Sequence, residues 1–536
     1  MAKREPRILV LIVGGNIGLY AEPNRNKAME LRPATPEEIK SHLMGEENDR
    51  LILREKDLEG EKVRIGVEAL DTAKGASREL KDSSGIDPEQ WQLIADRIHK
   101  ERGRYDGFVV LHGLDTMAYT ASAVSFMLRY LSVPIIFTGS QLPLNFARTD
   151  ALQNILCAIT LAAQRIGGED PVAVIPEVCI FAHDTLFRAN RTRMSNPSSY
   201  QSFASSNYPP LAQVGEYLDI QSHLIHSPSR QLMRQRREVH IPVHILDVYP
   251  GIDARVLDHL FKGIPSDTQK EIGEDEHPRA GLLLRTYGMG TAPISSGFLE
   301  GIEALTRRGV VVMAISQAHM GHLSLPRDPV SLRLLEYGVI FGADMTAEAA
   351  YAKMKVFLSS KDPITKVKEA LLADQCGEQS RSLLAMRFDE QEPTGNTEEE
   401  RFTRILEAKV SGDWHLPRRE RIRQVQLRLL GVKPKGDLPK KGPPVTLELD
   451  VEVIDQFDGL DKVECMLLRD TLRWNRERGA AKERDHAPLT ENRAIDITHQ
   501  RSYVTGGETL LRISAGAELD WNRIEIVFYM DVHGAG

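Results

Sequence analysis

The chain is 536 residues long, which exceeds what one hydrophobic core supports and predicts two to four domains. Its 41% hydrophobic and 27% charged residues are typical of a globular protein, and a net charge of -8 gives no reason to expect nucleic acid as a partner. The four cysteines are scattered and no apolar run approaches roughly 20 residues, which argues against a disulfide framework, a zinc site and a membrane span.

The first predicted strand, residues 8–13, runs into Gly14, Gly15 and Gly18. The apolar run is short and ends in glycines, which indicates a core strand rather than a signal peptide, so we expect a cytoplasmic protein. In an open α/β sheet, ligands bind at the turns that follow the carboxyl ends of the strands. These glycines therefore either line a ligand site or serve only to make a tight turn.

The range 1–225 alternates short apolar runs with longer helical patterns, which predicts a parallel sheet covered by helices. Strands are predicted at 8–13, 107–111, 134–138, 172–175 and 178–182, and helices at 88–101, 116–130 and 149–165. The polar, basic segment 225–240 is interpreted as an interdomain linker. A second α/β domain is predicted over 241–376, with strands at 242–247, 281–285 and 310–315 and a helix at 346–358.

The composition changes after residue 376. The range 377–444 contains an acidic stretch at 389–400 and a Pro/Gly/Lys-rich stretch at 433–444, and it predicts a linker with one basic helix at 417–430. The range 445–536 predicts a small β-rich α+β domain. Apolar and polar residues alternate over 445–453 as in a half-buried strand; further strands are predicted at 494–498, 509–514 and 524–530, and a helix at 460–475.

Eight segments of the first two predicted domains resemble, in order, the motifs of the bacterial-type L-asparaginases. The segments lie at 14–18 (Gly-Gly-Asn-Ile-Gly), 81–91, 111–122, 138–143, 188–192, 249–251, 286–290 and 342–350. The cytosolic type I enzymes are the most similar group. The resemblance implies an asparaginase-like two-domain α/β fold, with a flavodoxin-like N-terminal domain and a smaller Rossmann-like domain. It also implies no cofactor and a homodimer or tetramer, because the sites of the family form between protomers.

The resemblance also implies that the catalytic residues have been replaced. The family hydrolyses the side-chain amide of asparagine with a threonine in the first motif and a Thr-Lys-Asp group. Here the first threonine position holds Asn16, the second holds Leu114, and the lysine position holds Met194. A carboxamide has no ionisable hydroxyl and cannot form the acyl-enzyme ester. Arg193 stays protonated and is a poor base, and Thr291 replaces the asparagine that the family supplies across the dimer.

The part of the site that binds the substrate is retained by the same resemblance. Asp115 and Ser83 keep the residue types that hold the α-amino and α-carboxylate groups, and Gly15 and Ser84 complete the predicted binding set. From the residues alone, Asp115 can equally cap a helix that begins near Thr116, and Ser83 can be an ordinary turn residue.

Other polar residues are weaker candidates. His112 is interpreted as a structural histidine, and Thr116 and Tyr20 are hydroxyls without a visible partner base. His319 and His322 alone supply too few ligands for a metal, so none is expected.

Three functions follow from these observations. The leading hypothesis is a pseudoenzyme that acts in binding, scaffolding or assembly, with a protein partner on the C-terminal domain. The second is an amidohydrolase of altered mechanism, since a fold does not determine its chemistry. The third is an amino-acid sensor that uses Asp115 and Ser83.

Overall fold

The computed structural model describes most of the first two predicted domains and separate segments of the C-terminal part. The described residues are 5–23, 29–44, 50–52, 62–70, 82–167, 171–236, 238–264, 276–293, 297–323, 328–390, 403–409, 422–434, 445–457, 460–474, 491–497, 510–515, 519–521 and 523–531. Within these ranges, no helix is both long enough and apolar enough to span a bilayer.

A nine-stranded sheet organises the N-terminal unit. In chain order its strands are β1 (Arg7–Ile12), β2 (Arg50–Ile52), β3 (Lys62–Ala69), β4 (Gly107–Leu111), β5 (Ile135–Thr138), β6 (Val178–Ala182), β7 (Thr185–Arg188), β8 (Ala212–Val214) and β9 (Leu218–Ile220). Their spatial order is 9-8-7-6-5-4-1-3-2. The central pairs β3–β1, β1–β4, β4–β5 and β5–β6 are parallel, and the outer pairs are antiparallel.

Helices cover both faces of this sheet. They are α1 (Pro36–Met44), α2 (Pro88–Glu101), α3 (Leu114–Met127) and α4 (Ala151–Ala162). Leu9 and Leu11 of β1 belong to the core that contains α2 and α3, whereas Ile8, Val10 and Ile12 belong to the core that contains α1 and α4. A strand with both faces buried must be apolar at every position, which explains the continuous run at 8–13. The predicted helix-covered parallel sheet is confirmed, although the strand predicted at 172–175 is a two-residue ribbon outside it.

The second unit is a four-stranded parallel sheet. Its strands β10 (Val243–Asp247), β11 (Ala280–Thr286), β12 (Val310–Ser316) and β13 (Ile340–Phe341) lie side by side in chain order. Its helices are α5 (Arg255–Leu260), α6 (Phe298–Arg307), α7 (Pro329–Glu336), α8 (Ala347–Leu358) and α9 (Ile364–Leu372). The two units share a core, in which α3 packs on α8 with the Phe126 and Phe357 rings edge to face.

Both units also contain short two-stranded ribbons and 3-10 turns. Two-residue to five-residue ribbons join Leu19–Pro23 to Met29–Pro33, Leu128–Arg129 to Arg234–Gln235, Arg165–Ile166 to Val172–Ala173, and Arg193–Met194 to Phe203–Ala204. Single 3-10 turns lie at Asn16–Gly18, Ser83–Gly85, Ala189–Arg191 and Ser222–Leu224. The predicted linker 225–240 thus returns to pair with the end of α3.

A third, antiparallel sheet follows the second unit. Its strands are β14 (Arg381–Glu390), β15 (Thr403–Lys409), β16 (Ile422–Pro434), β17 (Val445–Phe457), β18 (Leu460–Trp474), β19 (Glu491–Asp496), β20 (Leu510–Ala515), β21 (Leu519–Asp520) and β22 (Arg523–Asp531). The spatial order is 18-17-20-15-14-22-16-19, with β21 paired to one end of β16. The two outermost strands, β18 and β19, also contact each other.

Two helices predicted in this region are wrong. The basic helix at 417–430 is the strand β16, in which Val425, Leu427 and Leu429 are at most 1% exposed and alternate with polar residues. The helix at 460–475 is the strand β18, whose pairing with β17 is interrupted twice. Such bulges shift the phase of the alternation, which hid the strand pattern in the sequence.

The linker predicted over 377–444 contains β14, β15 and β16, so this range contributes three strands to the sheet. Most of the acidic stretch 389–400 and of the Pro/Gly/Lys-rich stretch 433–444 lies outside the described residues. The domain boundaries stay predictions.

Buried charges hold the segment 374–380, which joins α9 to β14. Lys353 and Glu378 are both 0% exposed, with Nζ and Oε1 2.7 Å apart. Burial alone would raise the pKa of Glu378, but the charge of Lys353 lowers it to about 2. Burial and the charge of Glu378 raise the pKa of Asp374 to about 7. This short segment is therefore anchored by charge rather than by apolar packing.

Candidate functional site

Three of the motif segments meet backbone to backbone. The turn after β1 carries Gly15, whose φ of +78° suits glycine, and a methyl group there would lie 2.1 Å from the Cα of Gly113. The turn after β4 carries Gly113, and a methyl group on it would lie 2.5 Å from the Oγ of Ser83. Because both contacts leave no room for a side chain, the glycines are required for these turns to touch.

Ser83 and Asp115 form a polar pair at this junction. Ser83 is 2% exposed, and its Oγ donates to Oδ2 of Asp115 at 3.2 Å. Thr116 Oγ1 donates to the carbonyl oxygen of Ser83 at 2.7 Å. Ser84 is exposed, and its backbone N–H donates to Oδ1 of Asp82 at 2.9 Å. The structure therefore brings Gly15, Ser83 and Asp115 together, with Ser84 on the adjoining turn.

Asp115 does not cap its helix. The helix α3 begins at Leu114 with Gly113 at the N-cap, and no side chain caps it. The exposed carboxylate of Asp115 lies in the first turn, where the partial positive charge of the helix N-terminus favours an anion. The capping interpretation is wrong, since the helix begins two residues earlier than predicted.

The three positions that the resemblance marks as replaced, Asn16, Leu114 and Met194, form other contacts in the structure. Asn16 is exposed, and its Nδ2 donates to the carbonyl oxygen of Gln141 at 2.8 Å. Leu114 and Met194 are half-buried and pack against the core shared by α3 and α8. Met194 lies in the short ribbon beside α3. An amide and two apolar side chains therefore occupy these positions.

Neither replacement hydroxyl is arranged as a nucleophile. The hydroxyl of Thr116 is donated to Ser83. The ring of Tyr20 packs between Arg32, whose guanidinium lies 5.1 Å from the ring centre, and the edge of His42. A nucleophile needs a base within hydrogen-bond reach, and these contacts supply none.

His112 is structural, as the sequence indicated. It is 0% exposed, and its Nδ1 lies 2.7 Å from the carbonyl oxygen of Gly113. Burial lowers its pKa to about 4, so the ring is neutral near pH 7. A neutral imidazole donates from Nδ1 and thereby holds the Gly113 peptide in place.

Arg193 and His319 link the two units beside the site. Arg193 Nη1 lies 2.6 Å from His319 Nδ1. Both residues line a cavity of about 20 Å³, together with Asn207, Arg285 and Asp344. Among the described residues, no group of three or more His, Cys, Asp or Glu side chains is placed to hold a metal ion.

Sequence reasoning missed two buried ion pairs, which are formed by Arg188 and Arg191. Arg191 is 1% exposed and pairs with Oδ2 of Asp344 at 2.9 Å. Burial alone would raise the pKa of Asp344. The charge of Arg191 and a hydrogen bond from Ser380 nevertheless keep this pKa below its usual value. Arg188 pairs in the same way with Glu177 at 2.6 Å. The acids lie 153 and 11 residues away in sequence, so no local pattern signals the pairs.

Comparisons with known proteins agree with the architecture. The family model "Asparaginase, N-terminal" matches residues 7–226, and the model "Glutaminase/Asparaginase C-terminal domain" matches residues 242–371. L-asparaginase 1 of Escherichia coli strain K12 is 36% identical over 303 residues, which cover 56% of this chain and 82% of that protein. The human 60 kDa lysophospholipase is 30% identical over 376 residues, which cover 69% of this chain and 60% of that protein.

A solved structure gives the same result. The crystal structure of L-asparaginase I from Vibrio cholerae matches with a TM-score of 0.57 at 30% identity, covering 70% of this chain and 99% of that chain. Both family models end before the third sheet begins at Arg381. The chain therefore belongs to the asparaginase family and carries an antiparallel sheet beyond the two domains that the family models describe.

Proposed function

We propose that this protein is a pseudoenzyme of the asparaginase family, which binds a small amino acid but lacks L-asparagine amidohydrolase activity. The observation that carries the proposal is Asn16. It occupies the position of the family's nucleophilic threonine, and its amide is engaged with the backbone of Gln141 at 2.8 Å. A carboxamide cannot form the ester intermediate on which threonine-based hydrolysis depends.

The positions that would activate a nucleophile support the same conclusion. Leu114 and Met194 stand where the family has its second threonine and its lysine, and both contribute apolar packing. Members of a nucleophile–base unit act together, and removing one typically costs several orders of magnitude in rate. Three replacements at once remove both hydroxyls and the lysine that the family's reaction uses.

The remaining polar groups suit binding. The exposed carboxylate of Asp115 can pair with an ammonium group, and the Ser83 hydroxyl, which donates to Asp115, holds that carboxylate in place. The backbone nitrogen of Gly113 lies against Gly15 at the same junction. These groups match the two charged ends of an α-amino acid.

A second copy of the chain is the partner that the second unit favours. Tyr249, Met289 and Met320 are 54%, 56% and 70% exposed. They lie in the loops that follow β10, β11 and β12, at one edge of the parallel sheet. Apolar groups grouped in this way mark an interaction surface. We therefore propose a homodimer or tetramer through the asparaginase-like units, and a separate protein partner for the third sheet.

The test is ammonia release from asparagine and glutamine by the wild-type protein, with Asp115→Ala as the control. We expect no ammonia above the control, together with saturable heat on titration of asparagine or aspartate into the wild-type protein. Robust release that Asp115→Ala abolishes would contradict the proposal and favour an amidohydrolase of altered mechanism. A flat titration at millimolar amino acid would remove the binding function and leave a scaffold.

A gain-of-function variant provides a second test. The triple change Asn16→Thr, Leu114→Thr and Met194→Lys restores the residue types of the family, whereas Asn16→Thr alone restores the hydroxyl without its base. We expect measurable ammonia release from the triple variant and none from the single variant, because the hydroxyl needs a base beside it.

A further inference from the structure

Three arginines come together where α3 ends. The ribbon formed by Leu128–Arg129 and Arg234–Gln235, here called the arginine ribbon, places Arg129 and Arg234 directly opposite each other. Side chains in such positions leave a ribbon on the same side, with their Cβ atoms about 5 Å apart, and two like charges there repel each other. Arg236 follows two residues later, and its backbone N–H donates to the last turn of α3.

These positive charges have little acidic compensation. Arg236 lies 3.9 Å from Asp362, whose side chain is 51% exposed. Burial lowers the pKa of Arg236, the charge of Asp362 raises it, and the charge of Arg129 lowers it again. Among the residues that the structure describes, Arg129 and Arg234 form no ion pair, and Arg129 donates instead to Gln375 Oε1 at 2.7 Å. Three guanidinium groups therefore stand against one exposed carboxylate in the described part of the chain.

The ring of Tyr130 holds two of these guanidinium groups in one place. The Cζ atoms of Arg129 and Arg234 lie 6.0 Å and 5.7 Å from the ring centre, within the range of a cation–π interaction. Such a contact is made with the π-system of the ring and leaves the N–H donors in the plane of a guanidinium group available. The ring therefore positions both groups without satisfying their hydrogen bonds.

A polar cavity of about 310 Å³ opens beside the arginine ribbon, and Arg129, Tyr130 and Ser229 contribute to its walls. It leaves room for an anion next to the guanidinium group of Arg129. The carboxyl groups of Glu177 and Asp374 line the same cavity and repel an anion, which is thereby confined to the side of the ribbon. The last turn of α3 adds about half an elementary negative charge, which is small beside three full positive charges.

We propose that the arginine ribbon binds a phosphate group, with Arg129 and Arg234 donating N–H groups to its oxygens and Arg236 adding a third positive charge. A phosphate group on a side chain carries a charge of about -1.5 to -2 near pH 7 and has three acceptor oxygens, so it can engage two guanidinium groups at once. The inference does not rest on the function proposed for the candidate site, because Asp115 lies about 20 Å away at the other end of α3.

Calorimetry on the full chain in a phosphate-free buffer near pH 7.5, where a phosphate group is largely a dianion, tests the proposal. The probes are inorganic phosphate and N-acetyl-O-phosphoserine amide, and the controls are N-acetylserine amide and sodium chloride at matched ionic strength. We expect saturable binding of at least one phosphate probe at millimolar concentration or below, and none of either control. Tighter binding of phosphoserine assigns the site to a phosphorylated side chain, and tighter binding of inorganic phosphate assigns it to the free ion. Binding of neither probe, or equal heat with sodium chloride, would overturn the proposal.

Three variants locate the bound phosphate. Arg234→Gln and Arg129→Gln each remove one guanidinium group of the ribbon, whereas Arg255→Gln removes the same charge from a side chain of the second unit that is 80% exposed. We expect each ribbon variant to weaken phosphate binding by about tenfold or more, because each removes a charge-assisted hydrogen bond, and Arg255→Gln to leave the affinity unchanged. Thermal unfolding shows that each variant is folded; Arg234 is exposed, so its substitution is expected to leave the fold intact. Unchanged affinity in both ribbon variants, or an equal loss in Arg255→Gln, would overturn the assignment.

Discussion

The exposed candidate site and the buried ion pairs of this chain differ in the side chains that they contain. At the candidate site, the positions that the resemblance assigns to reactive groups hold an amide and two apolar side chains. Elsewhere in the fold, Arg191 is paired with Asp344 and Lys353 with Glu378, and all four side chains are almost fully buried. A buried charge without its partner is far more costly than a lost surface contact. We therefore expect that mutations can disturb the support of the fold and the properties of the site separately.

The largest effect is expected when a buried pair is broken. Lys353→Ala leaves Glu378 charged and 0% exposed, which costs about 3 to 5 kcal/mol in the free energy of unfolding. Urea denaturation measures the loss. The matched control is Lys361→Ala, whose ammonium group is 89% exposed and 3.9 Å from Glu238; we expect a change below about 1 kcal/mol there. Equal losses in the two variants would show that the buried charges do not support the fold.

A smaller loss is expected at the contact between the turns. Gly15→Ala places a methyl group 2.1 Å from the Gly113 backbone at a φ of +78°. Strain of this kind costs about 1 to 3 kcal/mol, and it moves Ser83 and Asp115 out of register, so amino-acid binding is lost as well. Gly103→Ala, where a methyl group meets nothing within 4 Å, is the control. Normal binding by Gly15→Ala would argue against a site at this junction.

The stability of the buried segment 374–380 is expected to depend on pH through Asp374. The pKa of Asp374 is raised to about 7 from an ordinary value of 3.8, so the folded protein holds this proton more tightly than the unfolded chain. The resulting stabilisation is complete below about pH 4 and is lost as the pH rises through 7. We expect the stability difference between wild type and Asp374→Asn to change between pH 5 and pH 8. A difference that stays constant across this interval would contradict the assignment.

The smallest effect on stability is expected from a substitution at Asn16. Asn16→Ala removes one exposed hydrogen bond to Gln141 and leaves no buried group unpaired. We expect a change in stability of about 0.5 kcal/mol or less and no change in ammonia release. Thermal unfolding and the ammonia assay measure the two quantities. Loss of an activity in this variant would make Asn16 functional and reverse the comparison.

The elements that the sequence predicted well carry local signals. The helix α2 begins at Pro88 as predicted, because Asp87 and Gln90 form a reciprocal capping box. The strand β1 is apolar at every position because both of its faces are buried. By contrast, the pattern of β18 is shifted by bulges, which depend on its partner strand. Local sequence contains no information about such pairing.

In the candidate site, too, some contacts have a signal in the local sequence and others have none. The contact of Gly15 with Gly113 follows from neighbouring parallel strands whose carboxyl ends meet at one edge, which the strand pattern indicated. The pairing of Ser83 with Asp115 was reached through a resemblance, because no spacing rule joins residues 32 positions apart. The polar cavity beside Leu128–Arg129, where α3 ends, has no signal in the sequence, because its walls come from five separate segments.

The order of strands in the third sheet has a consequence for biosynthesis. The strand β22 lies between β14 and β16, so an inner position of the sheet is filled by the last of its described strands to be made. At ordinary translation rates of about 5 to 20 residues per second, β14 and β16 wait several seconds for their shared neighbour. During this interval both strands expose unpaired backbone groups that can join another chain. We therefore expect the unfinished sheet to associate with other chains more readily than the finished one.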